Sequence, residues 1–199
     1  MTAPAIFPEL APPPPPARPR VLMVGTAFAS VAAAMAFAGM LGLYLARRDD
    51  VLAAGATWLP EGVEIPLLHG TMNAATFAMS VVTITWAVWS IGQDDRIRTF
   101  LAFGVTLLLG VATIVRTGFY YTQIHAGVRS EFGVLFYGIT GAHLAMTAAG
   151  LAFMLLMVFR TLGGQYSARD REGVAAAALF WYVTAAVYAV IWYAIFITK

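Results

Sequence analysis

Few side chains of this 199-residue chain could do chemistry inside an apolar segment. There are three histidines, His69, His125 and His143, and no cysteine. The lack of cysteine excludes disulfides, zinc thiolate sites and iron–sulfur ligation. Arg116 is the single charged residue within the apolar runs, and a guanidinium does not give up its proton. Because ion and proton carriers usually need ionisable groups at membrane depth, the pattern disfavours an independent pump.

The histidine spacing also argues against a haem. His69 lies near the start of its apolar run and His143 about a dozen residues into its own, which places them on the order of 14 Å apart in depth at 1.5 Å per residue. His125 falls between runs. We therefore expect no catalytic residue, no metal site and no cofactor in this chain. For His143 we expect a neutral hydrogen bond between helices, with Thr140 or Thr147 as a partner.

Arg116 leaves two interpretations open. It lies nearer one end of its run, with Tyr120 and Gln123 on the same helical face at i+4 and i+7. A buried arginine needs a counter-charge, such as a lipid phosphate, a haem propionate or a carboxylate of a partner. Alternatively, its long side chain reaches the membrane surface as an interfacial residue.

The composition indicates an integral membrane protein. The chain is 60% hydrophobic and 11% charged, whereas soluble domains are about half apolar and a quarter charged. Its net charge is only +2, without a basic patch interleaved with aromatics, so nucleic-acid binding is not expected.

The apolar residues form long runs that predict an all-α bundle of five transmembrane helices. About 20 helical residues cross a hydrocarbon core. We expect residues 1–20 to be a flexible Pro-rich cytoplasmic tail and residues 21–199 to be one domain in the inner (plasma) membrane of the cell. The expected spans are about 21–46, 67–91, 99–124, 132–159 and 174–197.

Loop charges predict the orientation. More basic residues flank the side that holds the N-terminus, which favours the N-terminus inside and the C-terminus outside. That side would carry Arg18, Arg20, Arg96, Arg98, Arg160, Arg169 and Arg171, against Arg47, Arg48, Arg129 and Lys199 on the other.

Two ridges of small residues and one aromatic stripe predict where helices pack. Small residues let membrane helices approach closely. The stripe on the last run is Trp181, Tyr188 and Trp192, which we interpret as packing or a partner surface rather than a cofactor site. The ridges are Ser30, Ala34, Ala38 and Gly42 on the first run, and Gly138, Ala142, Ala145 and Ala149 on the fourth.

Two segments resemble signatures of the haem–copper oxidase subunit III family. In Tyr137–Leu151, YGITGAHLAMTAAGL, Met146 replaces a second histidine of the fourth-helix signature, and the residues that match it are Gly141, His143, Gly150 and Leu151. In Leu179–Val187, LFWYVTAAV, the Phe-Trp pair and the final valine match the last-helix signature, with Tyr182 in place of its histidine and Ala185 in place of its aspartate.

Weaker matches extend the resemblance to all five runs, over about residues 21–197. Glu64–Leu68, EIPLL, resembles the start of the second helix of five-helix members, and Leu107–Gly110, LLLG, matches the next helix. Positions that are acidic in relatives hold Arg116 and Phe119 here. The chain thus resembles a divergent, short five-helix form of the family.

The resemblance implies a redox-inactive subunit of a respiratory oxidase that reduces oxygen to water. Haem and copper would lie in the catalytic subunit I, which this chain would stabilise while holding phospholipid. Alternatives are an accessory protein of a nitric oxide reductase and, from another class, a small stand-alone transporter. Candidates for binding lipid or a partner are His69, Arg116, Tyr120, His143, Trp181, Tyr188 and Trp192.

Overall fold

A computed structural model describes residues 20–124 and 126–198, and within them it confirms the all-α fold. The helices are α1 (Val21–Ala53), α2 (Leu67–Gly92), α3 (Arg96–Gln123), α4 (Glu131–Leu162) and α5 (Glu172–Ile191), which continues as a π-helical segment, Trp192–Ile197. All five are long and apolar enough to cross a membrane. This part of the chain contains no strand. The expected tail lies outside the described residues except for Arg20, as do His125 and Lys199.

The helices run past the apolar residues that predicted them. α1 continues through Arg47 and Arg48 to Ala53, so it ends seven residues after the expected boundary at 46. At the start of this extension, Arg47 Nε lies 2.7 Å from Glu131 Oε1 on α4, in an ion pair that is exposed on both sides. Pro66 is the N-cap of α2. Arg47, Arg48, Asp49 and Asp50 therefore lie in the last turns of α1 and not in the loop that follows it.

Side-chain caps fix two helix starts. The N–H of Arg98 donates to Asp95 Oδ1 at 2.9 Å at the start of α3. The N–H of Gly133 donates to Ser130 Oγ at 3.0 Å at the start of α4. Each cap satisfies a backbone donor that has no partner inside its helix.

α5 is the centre of the bundle, because it packs against α1, α2 and α4. Its Trp181 is fully buried. A Cβ added at Gly150 of α4 would lie 3.0 Å from the indole, and one at Gly110 of α3 would lie 2.8 Å from it. These two glycines make room for the indole among three helices.

The predicted small-residue ridges are only partly buried within this chain. Ser30 is buried, whereas Ala38 and Gly42 are exposed. On α4, Gly138 and Ala149 are exposed as well. The remaining members are exposed or half-buried: Ala34, Ala142 and Ala145. Their role in helix packing stays a prediction that concerns lipid or another subunit.

Candidate functional site

Arg116 turns from α3 toward α2. Its Nη1 donates to Asn73 Oδ1 at 3.3 Å and to Thr76 Oγ1 at 3.2 Å. Asn73 in turn donates through Nδ2 to Thr117 Oγ1 at 3.1 Å. Both acceptors are neutral, and the bonds are longer than the 2.7–2.9 Å typical of a charged pair. Among the described residues, the Nε and Nη2 groups of this half-buried guanidinium have no acceptor.

Next to Arg116 lies a stacked pair, His69 on α2 and Tyr120 on α3. Their ring centroids are 5.0 Å apart with an interplanar angle of 25°. Tyr120 is only 4% exposed. In the described part of the chain, neither its hydroxyl nor His69 Nδ1 has a hydrogen-bond partner. Buried polar atoms are normally satisfied, so two such atoms together indicate a place for water or a ligand.

His143 links α4 to α5. Its Nε2 lies 2.9 Å from the main-chain oxygen of Thr184. A carbonyl can only accept, so Nε2 carries the hydrogen. The interhelical bond is the one that the sequence predicts, but its partner is this carbonyl. Thr147 Oγ1 is 3.5 Å from Nδ1 and donates to the main-chain oxygen of His143 at 2.9 Å.

Thr140 does not contact His143 through a hydrogen bond. Its hydroxyl accepts from Tyr121 on α3 at 2.7 Å. The His143 ring is instead enclosed by aromatic edges, with the centroid of Phe37 at 5.9 Å and that of Phe77 at 5.4 Å. Aromatic rings from α1 and α2 thus enclose the histidine between helices.

These groups line one cavity together with apolar side chains, which are those of Phe77, Phe136, Leu144, Ile191 and Phe196. It has a volume of about 30 Å³, enough for about two water molecules. The polar side chains that line it come from α2, α3, α4 and α5: His69, Asn73, Thr113, Arg116, Thr117, Tyr120, Tyr121, Thr140, His143, Thr147 and Tyr188. The sequence places His69 and His143 at different depths and does not reveal that they line the same cavity. The only sign of this cavity in the sequence is the spacing of Arg116 and Tyr120, which places both on one face of α3.

The aromatic stripe fastens α5 to α2. Trp181 donates through Nε1 to Ser80 Oγ at 2.9 Å. The hydroxyl of Tyr188 donates to the main-chain oxygen of Gly70 at 3.2 Å. Further along, Trp192 Nε1 donates to Thr71 Oγ1 at 3.2 Å. Trp181 and Tyr188 are buried in this packing, while Trp192 is half-buried.

An apolar groove runs between α2 and α5 on the other side of Phe77 and Tyr188. Its volume is about 430 Å³. The Phe77 and Tyr188 rings, 4.9 Å apart, line both the groove and the cavity and therefore separate them. The remaining lining is mostly alanine: Ala74, Ala78, Val81, Tyr182, Ala185, Ala186 and Ala189. In the sequence, the signal of this groove is a pair of alanines four residues apart on each helix, which does not by itself reveal that the two helices face each other there.

Metal-ligating side chains do not cluster here. Over residues 20–124 and 126–198, no three or more His, Asp or Glu side chains are placed to hold a metal ion. Arg116 is the one charged residue among those that the structure places around the cavity.

Comparison with known proteins identifies relatives over nearly the whole described chain. The family model of cytochrome c oxidase subunit III matches residues 19–199. Cytochrome c oxidase subunit 3 of Drosophila yakuba is 30% identical over 157 residues, which are 75% of this chain and 57% of that protein. The protein of the same name from Petromyzon marinus is 31% identical over 154 residues, 73% of this chain and 58% of its own length. The chain thus spans little more than half the length of these curated relatives.

Proposed function

The chain belongs to the cytochrome c oxidase subunit III family, and we propose that it is a redox-inactive subunit of a respiratory haem–copper terminal oxidase. The family match over residues 19–199 is the observation that carries this proposal. In the complex, the chain packs against the catalytic subunit I and stabilises it. Haem and copper belong to that partner, where oxygen is reduced to water.

The chemistry of the spans is compatible with a supporting role. The apolar runs contain no Asp, Glu or Lys, and a guanidinium cannot pass a proton on. The buried side chain of His143 links α4 to α5 through the Thr184 carbonyl. These contacts between helices support a structural role for this chain over proton or electron transfer.

Phospholipid is the second component of the proposed role. The groove between α2 and α5 is lined mostly by alanines and opens on the outside of the bundle. A lipid acyl chain fits such a surface, because it is apolar and adapts to an irregular groove. Trp192, half-buried beyond the groove, is an amphipathic side chain of the type found at membrane interfaces. We propose that one acyl chain lies along this groove.

The departures from the family signatures favour one alternative partner. Met146 stands in place of a histidine, and Arg116 and Phe119 stand where relatives carry acidic residues. A specialised partner, a nitric oxide reductase, would tolerate these losses. In either case the chain acts in the inner (plasma) membrane of the cell, with its N-terminus inside.

Purification through a tag on this chain tests the proposal. In mild detergent, a haem-containing subunit should co-elute and the complex should consume oxygen. If haem co-elutes and the complex reduces nitric oxide but does not consume oxygen, the partner is a nitric oxide reductase. A colourless chain that elutes alone would refute both. Membrane fractionation and labelling of terminal cysteines introduced into the chain check the membrane and the orientation.

A further inference from the structure

We propose that the cavity between α2, α3, α4 and α5 binds one small monovalent anion, a halide or a carboxylate of formate size, held by Arg116 and Tyr120. This site goes beyond the proposed oxidase role and does not rest on it.

The first support is the unmatched charge of Arg116. The guanidinium has five N–H donors, and its two hydrogen bonds both come from Nη1 and reach the neutral oxygens of Asn73 and Thr76. No carboxylate is among the described residues that line the cavity. A cation within a membrane-spanning helix is costly without a counter-charge. An anion beside Nε and Nη2 would supply that charge and accept the remaining donors.

The second support is the unsatisfied phenol next to it. Tyr120 follows Arg116 by one helical turn, lines the same cavity and is only 4% exposed. Its hydroxyl lacks a hydrogen-bond partner in the part of the chain that the structure describes, as does the Nδ1 atom of His69 stacked on it. A phenol can donate to an anion, and neutral imidazole can donate through Nδ1 in one tautomer. A bound anion would therefore satisfy two buried groups as well as the guanidinium.

The third support is size. A cavity of about 30 Å³ admits about two water-sized groups. A halide or the two oxygens of formate fit this space, whereas a phosphate headgroup with its glycerol does not. Asn73 has its Nδ2 engaged with Thr117 and its Oδ1 with Arg116. The guanidinium and the phenol thus select a small anion. The threonines around them are neutral and add no charge to the site.

Anion-dependent stability tests the site. The full chain, with whatever subunits co-purify, is exchanged into gluconate, an anion too large for the cavity. Bromide or formate is then titrated at constant ionic strength while thermal unfolding is followed by circular dichroism. We expect a saturable rise in Tm with at least one of the two anions. Bromide alone would assign a halide, and formate alone would assign a carboxylate.

Variants locate the effect. Arg116→Leu should abolish the saturable rise, and Arg116→Lys should retain it with a weaker Kd. Tyr120→Phe, which changes the volume by one oxygen, should weaken Kd about tenfold, because one hydrogen bond to a charged group is lost. Matched controls are Arg98→Leu and Tyr137→Phe, an exposed arginine and a tyrosine outside the cavity lining. Both should titrate as the wild type does.

Anomalous diffraction from a bromide-soaked crystal of the wild-type protein gives the position directly, with a peak expected within hydrogen-bond distance of Arg116. The proposal is overturned if neither anion raises Tm above the gluconate reference. It is equally overturned if Arg116→Leu responds as the wild type does. Because the readout is stability and not oxygen reduction, failure here leaves the oxidase assignment untouched.

Discussion

The indole Nε1 of Trp181 donates a hydrogen bond to the hydroxyl oxygen of Ser80 at 2.9 Å, joining the centre of α5 to the centre of α2. Both side chains are almost fully buried. The Ser80 hydroxyl donates onward to the main-chain oxygen of Phe77 at 2.7 Å, so it needs an outside donor to satisfy its remaining acceptor capacity. Trp181 is therefore both the largest fully buried side chain and one of the polar links between α5 and α2.

Trp181→Phe should destabilise the bundle by about 2 kcal/mol, because it removes this hydrogen bond and leaves unfilled volume between three helices. The measurement is reversible unfolding in detergent. Trp192→Phe is the control, since Trp192 makes a similar bond to Thr71 from a half-buried position. It should cost less than about 1 kcal/mol. Equal losses in the two variants would contradict the central position of Trp181.

Gly150→Ala should lower stability and Gly138→Ala should not, although both glycines lie in α4. A Cβ at Gly150 would lie 3.0 Å from the Trp181 ring, which is fully buried and hydrogen-bonded to Ser80, whereas nothing lies within 4 Å at Gly138. Overpacking costs about 1–3 kcal/mol. Alanine in an open helical position gains about 0.5–1 kcal/mol over glycine. Tm values that change in opposite directions would support this contrast, and a stabilising Gly150→Ala would contradict it.

Asp94 is the one described non-glycine residue in the left-handed region, with φ of 57°. Its Oδ1 accepts the N–H of Ala168 at 2.6 Å, which ties the α2–α3 connection to the α4–α5 connection. Asp94→Ala should lose both the bond and the tolerance for this φ, at a cost of about 1–2 kcal/mol. Asp94→Gly loses only the bond, and Asp94→Asn keeps both features. Thermal unfolding should therefore rank Asn above Gly and Gly above Ala; any other order would refute the explanation.

Ala185→Leu should displace lipid from the groove between α2 and α5. A leucine at this position fills space that lies against Ala74 and Ala78 on the facing helix. Native mass spectrometry of the purified complex should show fewer phospholipids per complex. Ala148→Leu, on the exposed surface of α4 away from the groove, is the control and should leave the number unchanged. An unaltered number of phospholipids in Ala185→Leu would contradict the proposal that a lipid lies in this groove.

The sequence by itself determines the spans and the charge distribution. Runs of more than 20 apolar residues can only be helices in a membrane, because a lipid-exposed backbone must satisfy its own hydrogen bonds. It also predicts that His143 makes a neutral bond between helices, since a lone histidine in an apolar run needs a polar partner. The helices are longer than the apolar runs, because charged residues at a membrane surface can continue the same helix: α1 ends at Ala53, seven residues beyond the expected span boundary at 46.

Only the tertiary structure decides which residues share a site. Helical periodicity gives the face and depth of a residue within its own helix, but it leaves the rotation and the neighbours of that helix undetermined. Those depend on close packing, such as the fit of Trp181 against Gly110 and Gly150. This packing turns Arg116 toward α2 and brings His69, Tyr120 and His143 around one cavity. The residues were visible in the sequence, but the site exists only because side chains from different helices fit together.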